Sequence, residues 1–379
     1  MKIGLKKCVA TLIVIAVLLT PQEVRAQNYV QDLMEELELD EVEDVLQEEE
    51  IPDKLRFYDL AKAFATEGTD GVDASMVCEY VFDLFFYEVA RVKPIFYQIM
   101  VVSLLFALFG KLLVTQQGYV SDMGFFMVYT AIVLLLLQSF TLIGQLTDEG
   151  INKMVSFMTA FIPTYAATLM LSGNAASAGF FYEVAFGMIY LLELAMKFVL
   201  VPGIHIYVLL IMMDHLFEET RFQKLAELIG SAVQGILKFG LAAVAGLGVV
   251  QSLLTPAKDR LATSSLYHGI QSIPGVGNTF GATGELLLGC AMMIKNSVGA
   301  AALIVLLVVC MAPLCSVFCF TVMYRVVAAF LEPFCDKRIV ECVAGVGRAS
   351  GIYCKILGDA MLYFLITISM ISASTSFIF

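Results

Sequence analysis

Residues 284–330 read GELLLGCAMMIKNSVGAAALIVLLVVCMAPLCSVFCFTVMYRVVAAF. This is a long apolar tract broken by one polar knot, Lys295-Asn296-Ser297, and one proline, Pro313. A water-soluble helix needs a polar face, and none exists between Val298 and Met323, so the stretch reads as two membrane-crossing helices hinged near Pro313. The charged turn Glu332-Pro333-Phe334-Cys335-Asp336-Lys337-Arg338 follows at once and marks the far end.

The rest of the 379 residues agrees. Hydrophobic residues make up 59% and charged residues 15%, with a mean hydropathy of +0.84. Soluble chains carry about a quarter charged residues, so composition places this one among polytopic helical membrane proteins. The formal charge of −12 is uneven. Between Gln27 and Lys93 there are about nineteen acids against about five bases, so this segment carries roughly −14 and the remainder is near neutral.

Residues 1–26 show basic Lys2, Lys6 and Lys7, an apolar run from Cys8 to Leu19, and the small-residue exit Val24-Arg25-Ala26. That is the order of a secretory signal peptide, which places residues 27–93 outside the cytoplasm as an acidic helical segment. Its second part, Ser75 to Val92, reads as an amphipathic helix lying on the membrane before the first span.

Apolar tracts then follow at Ile95–Val114 and Phe125–Leu146 (a first pair, within residues 94–149), Ile151–Leu171, Phe180–Leu200, Ile204–Phe217, Ser231–Leu254 and Ile352–Ile371. Thr255 to Thr283 is polar and glycine-rich, and Pro202 hinges two of the tracts. Residues 150–254 and 255–379 look like two related halves, because Pro163 and Pro274, Gly173 and Gly284, and Pro202 and Pro313 are each 111 apart. If the two Ile-Pro segments dip without crossing, the expectation is about eight spans built on an inverted repeat of three-span units. That count places Lys337, Arg338 and Arg348 in the cytoplasm, as the positive-inside bias requires.

Charge within an apolar tract costs a few kcal/mol, so each case is a candidate. Glu193 and Lys197 are spaced to pair on one helix face. Lys295-Asn296 and Arg325 lie toward span ends, where snorkelling to headgroups is the plain explanation. Pro202, Pro274 and Pro313 are candidate hinges. The nine cysteines lack metal-ligand company and read as small buried hydrophobes. Zinc-protease, phosphate-loop and serine-hydrolase motifs are missing from the sequence, so neither catalytic residues nor a metal or cofactor are expected, and nothing points to nucleic acid.

The stretch from Ile273 (IPGVGNTFGATGELLLGCAMMIKNSVG), Pro313 and YRVVAAFLEPFCDKRIVECV, Tyr324 to Val343, resembles the stage III sporulation protein AE family. The resemblance implies a non-enzymatic, permease-like membrane subunit of a sporulation channel complex, similar in parts to secretion systems, that links mother cell and forespore. It would sit in the mother-cell membrane surrounding the forespore, with ring-forming and ATPase components as partners. A stand-alone secondary transporter using Glu193, Lys197 and the Ile-Pro segments is the alternative from a different class.

Overall fold

A computed structural model describes residues 42–43, 56–66, 74–113, 119–214, 222–246 and 277–376. These are helical almost throughout, with no strand among the described residues. We label the helices α1 (Phe57–Thr66), α2 (Ala74–Leu113), α3 (Tyr119–Leu171), α4 (Ala175–Ala195), α5 (Val201–Asp214), α6 (Gln223–Gly246), α7 (Gly277–Leu331) and α8 (Lys337–Ser376). Five apolar segments among the described residues are long enough to cross a membrane: Tyr129–Leu171, Ser177–Asp214, Gln223–Gly246, Gly289–Leu331 and Lys337–Ala373. The signal peptide, most of the acidic leader and Pro274 lie outside the described residues.

The tract quoted above becomes α7, the mast of the bundle, with α8, α3, α2 and α1 packed around it. A helix apolar all round can face lipid or protein. Here protein wins: Val298, Ala300, Ala301, Ala302, Val305 and Leu306 are all buried. The three alanines after Gly299 let neighbouring backbones come close.

The prolines correct the expected hinges. α7 runs unbroken through Pro313, so the tract is one helix of 55 residues rather than two crossing helices. Packing explains it, since Pro313 is buried in a notch opposite Gly150 of α3, and neighbours hold a membrane helix together past a missing N–H. Pro202 likewise fails to break the chain. It has no N–H for the carbonyl four residues back, and the turn before it widens into a π-helical stretch, Met196–Leu200, where the Val201 N–H reaches the Met196 carbonyl. α4, the π turn and α5 therefore form one continuous rod. A count of about eight spans treated both prolines as separators between spans and loses that support.

Other boundaries also move. α3 joins Phe125–Leu146 to Ile151–Leu171 in one helix of 53 residues, crossing the expected division at residue 150. Asp148 and Glu149 are exposed on it and do not interrupt the ladder, and Glu149 pairs with Lys153 at 3.3 Å. The stretch Ser75–Val92 is continuous with the next span through exposed Pro94, and it runs alongside α7, with Phe85 against Phe318 and Phe96 against Phe320. It does not lie separately on a surface. Residues 277–283, expected in the polar loop, already belong to α7.

True reversals come where the backbone is capped. α3 ends at Gly173, whose φ of 80° favours glycine. Its N–H donates to the Met170 carbonyl and the Asn174 N–H to the Leu169 carbonyl, closing a Schellman turn. Gly284, the proposed counterpart 111 residues on, is inside α7, so the two glycines do different work. The α7–α8 turn ends on Asp336, which accepts the Arg338 N–H at 2.9 Å and caps α8.

Candidate functional site

Lys295 does not snorkel. Its side chain is fully buried in α7, and Asn296 and Ser297 beside it are nearly so. Ser297 satisfies its hydroxyl on the Met293 carbonyl at 2.8 Å. One turn on, Gly299 lies on the same face as Lys295. A Cβ there would be 3.1 Å from the Tyr165 hydroxyl and 3.2 Å from the Ser372 hydroxyl. Hydroxyls from α3 and α8 therefore converge on α7 at Gly299, one turn along from the buried lysine.

An aromatic column builds one wall. Phe157, Phe161 and Tyr165 stack along α3 at 5.8 and 5.1 Å, because residues four apart share a helix face. Phe57 of α1 meets the first two edge-on, and Phe181 of α4 meets Tyr165 at 5.3 Å. The column shields this end of the bundle, so polar atoms there depend on protein partners. Asn174 shows the constraint: its amide N–H groups reach the Ser172 carbonyl and hydroxyl, while its buried Oδ1 finds no hydrogen-bond partner among the described residues.

At the opposite end the helices are pinned by separate polar pairs. Ser139 of α3 gives its hydrogen to the Leu136 carbonyl and accepts the Tyr324 hydroxyl of α7 at 2.6 Å. Tyr129 donates to the Met212 carbonyl of α5, and Thr321 of α7 meets Ser350 of α8 at 2.8 Å. Asp214, buried at the end of α5, accepts the Phe222 N–H at 2.7 Å just before α6. The Cys335 thiol reaches the Ser103 carbonyl of α2 at 3.5 Å. Burial first and the Asp336 carboxylate second push that thiol above its usual pKa.

The remaining candidates do not gather around Lys295. Glu193 and Pro202 are exposed on the α4–α5 rod, and the Lys197 side chain lies outside the described residues. Arg325 is exposed on the last turns of α7. Glu332, Pro333, Asp336 and Lys337 are exposed in the α7–α8 turn, where Arg338 also pairs with Asp336 at 3.5 Å. Reading the sequence missed Tyr165, Ser372 and Gly299. The three come from three helices, so no spacing along the chain could connect them.

The arrangement offers one lysine amine and several hydroxyls inside an apolar core. It can pin three helices together or hold a polar species. Among the described residues no cluster of His, Cys, Asp and Glu is built to hold a metal, and Cys310, Cys315, Cys319 and Cys342 are packed as buried thiols.

Comparison with known proteins adds the decisive observation. A family model described as stage III sporulation protein AE matches residues 55–375. The chain belongs to the stage III sporulation protein AE family. It is also 26% identical over 258 residues to the stage III sporulation protein AE of Bacillus subtilis (strain 168). That match covers 68% of this chain and 64% of the relative, so the chain spans under two thirds of the length of the curated protein it matches. No solved structure matches significantly. In this member of the stage III sporulation protein AE family, the Lys295 knot and the α7–α8 turn fall inside the matched region, and residues before 55 fall outside it.

Proposed function

We propose that the protein is a non-enzymatic, permease-like membrane subunit of a sporulation channel complex that joins mother cell and forespore. The observation that carries this reading is the family match over residues 55–375, laid on helices long and apolar enough to cross a bilayer. The signal peptide (1–26) directs the acidic segment (27–93) to the space between the two membranes, where ring-forming partners meet it. An ATPase acts from the mother-cell side, and the body resides in the mother-cell membrane around the forespore.

With each continuous helical rod crossing once, and α2 taken as a crossing beside the five segments above, α2, α3, α4–α5, α6, α7 and α8 alternate in direction. This order puts the turn from Glu332 to Lys337 in the cytoplasm and Phe379 outside, as the positive-inside bias favours. The buried Lys295 knot supports a polar function inside the bundle, because an ionisable group buried in a membrane protein is rarely kept for packing alone.

The test is affinity purification of the full chain from sporulating cells. Recovery of other membrane and ring-forming proteins in stoichiometric amounts is expected. Ion-gradient-coupled solute uptake by the purified chain alone in liposomes would overturn the reading in favour of a stand-alone transporter.

A further inference from the structure

The helices are too long for one bilayer. Gly289–Leu331 has 43 apolar-tract residues, or roughly 65 Å at about 1.5 Å per residue, against a hydrocarbon layer of about 30 Å. Tyr129–Leu171 also has 43 and Ser177–Asp214 has 38, so the excess is shared. Something must mark where the lipid layer stops.

Charged side chains do so in a band of a few turns centred on one level, about halfway along. The level is fixed by Gly150 of α3, whose added Cβ would be 2.7 Å from Pro313 of α7 and 2.9 Å from Leu357 of α8. Beside it on α3 are Glu149, with 61% of its side chain exposed, and Lys153. Beside it on α8 are exposed Lys355 and half-buried Asp359. One turn on, Tyr363 donates to the Leu237 carbonyl of α6, next to exposed Lys238. On α4, exposed Glu193 falls between Met188, which meets Thr367, and His205 of α5, which meets Tyr353. On α2, exposed Arg91 pairs at 3.4 Å with the buried carboxylate of Glu88, one turn beyond Phe85 against Phe318.

We infer that these groups form a hydrated girdle around the middle of the bundle, contacting water and lipid headgroups, so that acyl chains cover one apolar tier and end at this level. The inference rests on the membrane reading above. Acyl chains solvate isolated exposed charges poorly, and exposed charges from five helices within that band leave no lipid-facing side on which the layer could pass uninterrupted. Charges elsewhere are accounted for differently. Arg325 and Arg348 lie within about three turns of the α7–α8 turn, in reach of headgroups.

The full chain in lipid nanodiscs, open to both faces, tests this by thiol modification. Glu149→Cys, Asn152→Cys and Lys355→Cys are compared with Leu134→Cys and Ala167→Cys, which are exposed on the two tiers. The probe is a charged methanethiosulfonate, and the readout is added mass over the parent chain. The girdle positions are expected to react at least tenfold faster than whichever tier control is held in lipid. Girdle positions as slow as the slower control overturn the inference while leaving the membrane reading standing. Equally fast reaction at all five positions overturns both.

Discussion

Gly150 of α3 lies directly against Pro313 of α7, so close that no side chain fits between them. The notch explains why a proline in the middle of α7 does not bend the chain back on itself. It also turns a proposed hinge into a packing contact that can be measured.

Gly150→Val should therefore destabilise the protein by about 1–3 kcal/mol, the usual cost of overpacking a close contact. Gly187→Ala is the control, because a Cβ there meets nothing within 4 Å. It should be neutral or slightly stabilising, since alanine favours helix by up to about 1 kcal/mol. Thermal unfolding in detergent reads both, and equal midpoints would remove the notch argument.

Tyr324→Phe removes the hydroxyl that Ser139 accepts. A loss of about 0.5–1.5 kcal/mol is expected. Combined with Ser139→Ala the two effects should fall short of additive, because both delete the same bond. Full additivity would mean that the pair does not hold α3 to α7.

Lys295→Met conserves length and removes the buried charge. Met fills a similar volume with no amine to desolvate, so accumulation in the membrane should be maintained. Spore formation should nevertheless fall at least tenfold. Normal sporulation with this variant would show that Lys295 serves packing only.

Tags on Phe379 should be found outside the cytoplasm, and a Lys337→Cys thiol should be shielded from an impermeant reagent added outside intact cells. Labelling of Lys337→Cys from outside would invert the orientation.

Cys335 should be alkylated more slowly than an unhindered thiol near neutral pH. Its raised pKa keeps the reactive thiolate scarce, and its rate should climb as pH rises through the ordinary thiol range. A rate already flat from neutral pH upward would contradict the half-buried position against Ser103.

Much was legible from the residues. Apolar composition and the unbroken run from Val298 to Met323 required helices kept out of water, because such surface has no other stable setting. The tight end at Asp336 was visible as a charged turn, and the family could be read from the α7 knot and the following YRVVAAF stretch. Proline and charge were over-read as breakers. Pro202 and Pro313 stay within rods, and Asp148-Glu149 sits in the middle of one, since backbone hydrogen bonds only need most neighbours to keep the ladder.

Sequence by itself determined that this chain is a set of long apolar helices with one polar knot, because hydropathy and helix period are local properties. Tertiary structure alone decided which face of each helix is lipid-like surface and which is core, that Lys295 is buried while Tyr165 and Ser372 close on Gly299 a turn away, and that charges from five helices fall in one band. Those facts depend on the axial register of helices joined by distant turns, set by side-chain contacts such as Gly150 with Pro313, and nothing local in the chain encodes that register.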